Sequence, residues 1–403
     1  MEFIKPGRVF DFMRYRNVAV VFSTIVVALS IGSVFFPGPR LGIDFAGGTE
    51  VQLQFQGDVP VAELRSTLEE LGYESPDVIA ITGHDNQYLV RVNEVTTLPP
   101  DIAATIEERL DAALEAEVTS VRVSGGGDKV SIRLEAPAEL DAIRAALVEA
   151  GVDVRGDVRA FGPASDHRFE ADLVGVADRM VAQLEERLGE RGPEPALRIE
   201  WVGPRAGAQL RNGAIKALIY AMGFIMMYVA FRFDLRFAPG GILALIHDAA
   251  VTVGVFVLVG KEFNLTTVAS LLTIIGYSIN DTIVIYDRIR ENMARHRDKS
   301  LSEIINISTS EMLSRTIITS GVTLLAIVPF FFWGTQVIAD IAFALFVGFI
   351  AGVYSTIYIA APVTEFMDAR IFAPARAARQ AELEKQRALR AKAKGGSASA
   401  APR

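Results

Sequence analysis

The sequence predicts a polytopic α-helical membrane protein with six transmembrane helices and an extracytoplasmic α+β domain between the first two. Three observations lead to this class. First, 51% of the 403 residues are hydrophobic, and the mean hydropathy of +0.31 is too high for a soluble protein of this size. Second, the apolar residues fall into six runs of roughly 18 or more, the length that spans a bilayer core. Third, a long polar stretch separates the first run from the second.

These runs divide the chain into segments with different environments. The first run continues through Phe36, beyond the length of a typical signal-peptide core, so we interpret it as a retained anchor. The predicted segments are a cytoplasmic or interfacial N-terminus (1–16), transmembrane helix 1 (17–38), the outer domain (39–210), transmembrane helices 2 to 6 (211–366; approximately 213–231, 238–259, 265–286, 316–333 and 337–361) and a basic cytoplasmic tail (367–403).

Charge is distributed unevenly between these segments. Residues 41–210 carry 15 Lys and Arg against 32 Asp and Glu, a net charge of −17, whereas the remainder carries +9. Positive residues in short loops mark the cytoplasmic side of a membrane, and here every basic loop falls on one side. The sequence therefore predicts that both termini are cytoplasmic and that the acidic domain lies outside. The chain has no cysteine, which excludes disulfides and thiolate metal sites.

The outer domain shows alternating and helical patterns in turn. A strand at 49–55, a helix at 61–72 and a hairpin around 84–86 are followed by a helix from Pro100 to about Leu114. A similar unit recurs, with strands in 118–134 and a helix at 139–149, then a weaker copy at 152–161 and 170–189 and a closing strand at 196–202. Repeated hairpin-plus-helix units predict an antiparallel sheet with helices on one face. Internal duplication and chance recurrence both fit this pattern.

The segment GYSINDTIVIYDRIRE (276–291) carries the main candidate site. Asn280 and Asp281 lie side by side in an apolar run, where a carboxylate costs about 2.5–3.5 kcal/mol on insertion scales and usually serves a function. Asp287 and Arg288 mark the cytoplasmic interface, so Asp281 lies about 9–10 Å inside it. Arg315 opens the next span. We predict that Asp281 pairs with Arg315 and that protonation of Asp281 releases the pair, which would make a proton-gated switch. The alternative is a static ion pair that orders the helices.

Other polar residues are weaker candidates. His247 and Asp248, near the middle of span three, fit either an extension of the proton relay or a structural hydrogen bond between helices. Before the outer domain, LGIDFAGGTE (41–50) does not match the glycine spacing of a nucleotide-binding loop, and its glycines indicate a tight exit from the membrane. The sequence contains no Ser-His-Asp set, metal-ligand cluster or nucleotide loop. We therefore expect no enzyme activity, cofactor or metal.

Four motifs resemble the SecF branch of the SecD/SecF family of bacterial protein-export membrane subunits. They are LGIDFAGGTE, EWVGPRAGAQL (200–210), LIHD (245–248) and LLTIIGYSINDTIVIYDRIREN (271–292). The resemblance, which also extends to the resistance-nodulation-division exporters, implies a ferredoxin-like outer domain, here enlarged by an extra segment at about 94–165. It also implies a location in the bacterial inner membrane, with the domain in the periplasm. The residues it assigns to proton coupling are Asp281 and Arg315. With our own candidates Asn280 and Asp248, these form the predicted coupling set; the predicted structural motif residues are Gly42, Asp44, Gly47, Gly48, Thr49, Asp287 and Arg288.

The function implied by this resemblance is assistance to protein translocation, driven by the proton motive force. The implied partners are SecD in a heteromeric complex, the SecYEG channel, the SecA ATPase, YajC or YidC, and the preprotein substrate. The lipid bilayer is a further partner, and no nucleic acid is expected. Two other functions remain open. One is a half of a small-molecule or lipid exporter with the same helix plan, and the other is a non-transporting scaffold in which Asp281 is structural.

Overall fold

The computed structural model describes residues 8–372 except residues 82 and 97. Residues 1–7 and most of the predicted tail, 373–403, therefore lie outside the described part of the chain. The chain forms two compact units, one built from the segment up to Arg40 and the segment from Ile215 onward, the other from Leu41–Ala214.

The helices account for most of the first unit and for one layer of the second. In chain order they are α1 (Arg16–Phe35), α2 (Ile43–Ala46), α3 (Val61–Glu70), α4 (Ile102–Ala113), α5 (Leu140–Glu149), α6 (Val176–Leu188), α7 (Pro204–Arg232), α8 (Ala238–Leu258), α9 (Leu265–Arg295), α10 (Leu301–Trp333), α11 (Gln336–Ser355) and α12 (Ala361–Met367), the last two joined by a π-helical turn at Thr356–Ala360.

The strands are short and, apart from the first and last, belong to two sheets. In chain order they are β1 (Arg40–Leu41), β2 (Gly48–Gln54), β3 (Asp77–Ala80), β4 (Gln87–Val92), β5 (Val118–Val123), β6 (Lys129–Leu134), β7 (Val154–Ala160), β8 (Arg168–Leu173), β9 (Arg198–Val202) and β10 (Glu262–Phe263).

Six described helical segments are long and apolar enough to cross a membrane, which confirms the predicted number of spans. They are Met13–Phe35, Pro204–Arg232, Ala238–Leu258, Leu265–Arg295, Leu301–Trp333 and Gln336–Ile371. Small residues let these helices pack closely, as expected where lipid provides no hydrophobic drive between helices. A Cβ added to Gly348 of α11 would lie 2.4 Å from Ile274 of α9, and one added to Gly254 of α8 would lie 2.3 Å from Ser30 of α1.

The second unit contains a four-stranded antiparallel sheet in the order β3-β4-β2-β9. Helices α3 and α6 cover one face, where Leu64 and Met180 are fully buried against Val51 and Val90. Alternation of buried and less buried residues along β4 explains the strand, since one face meets the core. The chain order β2-α3-β3-β4-α6-β9 with this strand order is the βαββαβ, ferredoxin-like arrangement, which confirms the predicted α+β class.

The remaining strands form a separate four-stranded antiparallel sheet, β5-β6-β8-β7, rather than extending the first. Helices α4 and α5 bury Ile106, Leu110 and Leu147 against it. This sheet has the same strand order as the first. Elements β6-α5-β7-β8 form its first four parts, and α4 and β5, which come earlier in the chain, occupy the positions of the last helix and strand. The chain thus reads as two successive βαββαβ series, each of which gives its last helix and strand to the other sheet. The extra segment ends with β8 at Leu173, beyond the expected 165.

A loop of three glycines links the two sheets of this unit. Gly125 and Gly126, between β5 and β6, lie flat against the indole of Trp201 on β9, so that a Cβ at these positions would be 2.7 and 2.6 Å from the ring. Only glycine permits this close approach.

Candidate functional site

A cavity of about 410 Å³ lies between α9, α10 and α11 and receives the candidate acid of span four. Asp281 and Asn280 of α9 line it, facing Thr319, Ser320 and Thr323 of α10. These α10 hydroxyls recur at helical spacing, so they share one face of that helix. Gly348 and Gly352 of α11 also line the cavity. The remaining lining residues are Tyr277, Ser278, Ile318, Val322, Phe349 and Val353.

Asp281 is half-buried and contacts a hydroxyl instead of a guanidinium. The Ser320 hydroxyl donates to its Oδ2 at 3.4 Å. Arg315 forms no ion pair with Asp281 among the described side chains. Arg315 is exposed and precedes Ser320 by five residues, which is about 7–8 Å along α10. The structure thus brings Ser320 to the depth of Asp281 and leaves Arg315 nearer the start of α10.

Asp248 of α8 is fully buried and holds three polar partners. Its Oδ2 accepts from the hydroxyls of Ser278 on α9, at 2.5 Å, and Ser355 on α11, at 2.8 Å. Its Oδ1 lies 3.0 Å from Nδ1 of His247. Ser278 also lines the cavity that contains Asp281. Ser278 therefore lies between the buried acid on α8, which it contacts, and the cavity that Asp281 lines.

The polar chain continues from His247 toward α1. The His247 ring stacks on Tyr354 of α11 with 5.8 Å between ring centroids, and the Tyr354 hydroxyl lies 2.9 Å from the Ser23 hydroxyl. The Tyr354 hydroxyl also donates to the carbonyl of Ala19 at 3.0 Å. These contacts join α1, α8, α9 and α11 through buried polar groups, which are expensive in a membrane unless they are paired.

The ion pairs at the end of α9 are more exposed. The Arg288 guanidinium donates to Glu311 of α10 at 2.6 Å, and Asp287 accepts from Arg290 at 2.8 Å. Arg288 thus connects α9 with α10, whereas Asp287 pairs within its own helix. Such exposed pairs contribute at most about 1 kcal/mol each.

The glycine motif before the outer domain has a structural role. Gly42 precedes the short helix α2, which contains Asp44, and β2 begins directly after it. Gly47 and Gly48 have φ values of 80° and 118°, a region that favours glycine. A Cβ at Gly47 would lie 3.0 Å from Cα of Pro204, the first residue of α7, and one at Gly48 would lie 2.4 Å from the carbonyl oxygen of Val92. The buried Thr49 hydroxyl donates to the Glu94 carbonyl at 2.6 Å.

The sequence pattern identified the acids but missed several of their partners. Ser320 was visible as part of a polar face on span five. Ser278, three residues before Asp281, is a polar residue in the same apolar run and could have indicated a contact with Asp248. The sequence around Ser355 does not indicate its contact with Asp248. In the described part of the chain, no group of three or more His, Cys, Asp or Glu residues has the arrangement of a metal site.

Six long apolar helices, a buried acid close to a cavity that a second acid lines, and an α+β unit between the first two helices are typical of a membrane transport subunit. Two family models match the chain: the model described as "Protein export membrane protein SecD/SecF, C-terminal" covers residues 185–370, and "SecD/SecF GG Motif" covers residues 32–59. The chain belongs to the SecF branch of the SecD/SecF family. It is accordingly a component of a protein translocase, a transporter part and not a catalytic enzyme.

Individual relatives support this assignment. The protein translocase subunit SecF of Desulfurispirillum indicum is 34% identical over 90% of this chain and 93% of its own length. The SecF subunit of Pseudomonas aeruginosa is 42% identical over 89% of this chain and 90% of its own. The crystal structure of SecDF from Thermus thermophilus, described as a translocon-associated membrane protein, matches 90% of this chain with a TM-score of 0.61 and 30% identity.

This chain spans only 39% of the solved SecDF chain. In that relative, SecD and SecF parts form one polypeptide. The fusion implies that this chain associates with a SecD subunit.

Proposed function

We propose that this chain, paired with SecD, uses the proton motive force to assist the movement of preproteins across the cytoplasmic membrane after SecA and SecYEG have begun translocation. The asymmetry of basic loops supports an orientation with both termini in the cytoplasm and the acidic domain in the periplasm. In this proposal Asp281 takes up and releases the transported proton. Asp248 extends the path inside the helix bundle.

The proposal is supported by the position of Asp281 in the wall of a cavity whose largely apolar lining includes the hydroxyls of Thr319, Ser320 and Thr323. The cavity is large enough for several water molecules, each of which occupies about 30 Å³ in the liquid. Its hydroxyl groups from Thr319, Ser320 and Thr323 can exchange hydrogen bonds with water, so a proton has a route to the carboxylate. The weak 3.4 Å contact with Ser320 leaves Asp281 free to change partner when it changes charge.

The conformational step follows from the charge of Asp281. A negative carboxylate attracts Arg315, whereas a protonated one does not, and the two helices that carry them differ in packing accordingly. One charge that crosses 100 mV supplies about 2.3 kcal/mol. This energy is comparable to the few kcal/mol that separate alternative packings of a helix bundle.

The experiment is export into proteoliposomes that contain this chain, its SecD partner, SecYEG and SecA. We expect Asp281→Asn to abolish the part of export that depends on an imposed proton gradient and to leave assembly of the complex intact. The matched control is Asp298→Asn, which makes the same change at an exposed position beyond the end of α9. Gradient-dependent export by Asp281→Asn at the rate of the unmodified chain would refute the proposal and favour a static role for this residue.

A further inference from the structure

The open face of the second sheet, β5-β6-β8-β7, concentrates positive charge in an acidic unit. Residues 102–173 contain 8 Lys and Arg against 15 Asp and Glu. Helices α4 and α5 cover the other face, so alternate strand residues point to the open one. The strand register places six of the eight basic residues there, which are Arg122, Lys129, Arg133, Arg155, Arg159 and Arg168, together with only two acidic residues, Glu170 and Asp172. We call this surface the arginine face.

Four of the six cations of this face have acidic partners among the described residues, and two do not. Lys129 pairs with Glu170, Arg159 with Asp172, and Arg155 with Asp178. Neither Arg122 nor Arg133, both exposed, forms an ion pair with any described residue. Two guanidinium groups, one on the edge strand β5 and one near the end of β6, are therefore available to an external anion.

The strand register also places like charges opposite each other. Arg133 of β6 and Arg168 of β8 are directly paired positions on the same face, an arrangement that destabilises a sheet. Arg168 is only partly compensated, by Asp166 at 3.5 Å. Arg122 lies diagonally beside Arg133, because its own register partner is Ser131. Three guanidiniums thus share one region at a cost to the fold, which an anionic ligand would offset.

A concavity of about 280 Å³ forms around these arginines. Ser120 and Ser131 contribute hydroxyls to its floor, and Phe161 forms an apolar edge with 53% of its surface exposed. Guanidinium forks match carboxylates, hydroxyls bind backbone or side-chain polar groups, and the phenyl ring offers a contact for an apolar side chain. This combination suits an extended polypeptide better than a lipid headgroup, because a headgroup has no apolar side chain to place against the phenyl edge.

We propose that the arginine face binds carboxylate-rich, extended segments of a polypeptide, and that in the working complex this polypeptide is the exported chain. The second part rests on the proposed function. Carboxylates on alternate residues of an extended segment lie on the same side of it, so a segment that crosses the strands can present several of them to Arg122, Arg133 and Arg168, which lie on three neighbouring strands. Binding at this exposed surface is salt-sensitive, because screening weakens charge pairs in solvent.

The test is fluorescence anisotropy with the full chain in nanodiscs and a labelled peptide in which Glu alternates with Ser and Thr. We expect Arg122→Gln, Arg133→Gln and Arg168→Gln together to weaken binding roughly tenfold. The matched control is Arg109→Gln with Arg144→Gln, on the helix layer of the same unit, which should bind as the unmodified chain does. A peptide with Gln in place of Glu should bind weakly to every variant, and added salt should weaken binding of the Glu peptide.

The single variant Arg133→Gln separates binding from folding. It removes the like-charge pair, so it should weaken peptide binding while the midpoint of urea unfolding stays unchanged or rises. A general loss of structure would move both measurements downward. Unchanged binding by the triple variant would overturn the proposal. The proposal would also be overturned if the same arginines captured phosphatidylglycerol vesicles more strongly than the peptide. It would be overturned as well if the triple variant failed to copurify with SecD, because the face would then serve assembly.

Peptide binding to the arginine face is expected to be independent of proton coupling at Asp281. Asp281→Asn should bind the Glu peptide like the unmodified chain, since the two sites lie in different units. Normal gradient-driven export by Asp281→Asn, with peptide binding still dependent on the arginines, would refute the proposed function and leave the binding face standing.

Discussion

Substitution of Gly48 by alanine provides a direct test of the packing argument for the glycine motif. The φ value of 118° at Gly48 belongs to a region that costs other residues about 1–3 kcal/mol. In addition, the new Cβ would lie 2.4 Å from the Val92 carbonyl oxygen, so β4 must move. Overpacking of this kind costs about 1–3 kcal/mol. The sum, roughly 2–6 kcal/mol, is a large share of the 5–15 kcal/mol that typically stabilises a domain.

Gly72 supplies the matched control for this substitution. Its φ value is 96°, but no atom lies within 4 Å of an added Cβ, so Gly72→Ala introduces backbone strain without a clash. The difference between the two variants isolates the contact with β4. Urea unfolding of the full chain in detergent measures it through Trp201, in a Trp333→Phe background that leaves one tryptophan. The reasoning fails if Gly48→Ala is destabilised no more than Gly72→Ala.

Three further predictions follow from single contacts. Gly126→Ala should lower the unfolding free energy of the outer unit by about 1–3 kcal/mol and shift Trp201 emission to the red, because its Cβ would lie 2.6 Å from the indole. Gly348→Ala should lower the thermal midpoint of the detergent-solubilised chain, because its Cβ would lie 2.4 Å from Ile274. Burial raises the pKa of Tyr73 to about 12, so the stability from its neutral phenol is present below about pH 10 and lost as the pH rises toward 12; Tyr73→Phe should reduce that loss in urea titrations.

Each of these variants has a control in the same unit. Gly203→Ala and Gly276→Ala add a methyl group in open space, so neither should reproduce the effect of Gly126→Ala or Gly348→Ala respectively. For Tyr73, the difference in unfolding free energy between the unmodified chain and Tyr73→Phe should be constant below about pH 9 and change above it. A difference that stays constant from pH 8 to pH 12 would contradict the assignment.

The candidate acid could be identified from sequence because its cost is local. A carboxylate in an apolar run is unfavourable wherever its helix packs, so Asp281 and Asp248 stand out without a structure. Their partners depend on the rotation and depth of neighbouring helices. The spacing of residues in the sequence determines neither the rotation nor the depth of these helices. In the structure Asp281 contacts Ser320, and the role predicted for Arg315 stays a prediction.

The α+β unit, Leu41–Ala214, shows the same division between local and long-range information. Alternation and helical spacing predicted nearly every strand and helix, because these patterns depend on neighbours in the chain. They did not predict that two sheets form, or that β5 joins β6 while β9 returns to β2. Both series have the same pattern, so either partner satisfies the local periodicity, and only the packing of α4 and α6 on different sheets distinguishes them.

The exchange of the last strands explains where glycine is indispensable in this unit. Because β9 pairs with β2 and runs almost directly into α7, the segment from Trp201 to Pro204 must contact three elements at once. Gly47 approaches Pro204 from the end of α2, and Gly126 approaches Trp201 from the β5–β6 loop. A side chain at either glycine displaces the same short segment. A glycine substitution on one side should therefore weaken the contact on the other, and the destabilisation by the two substitutions together should be smaller than the sum of the single effects.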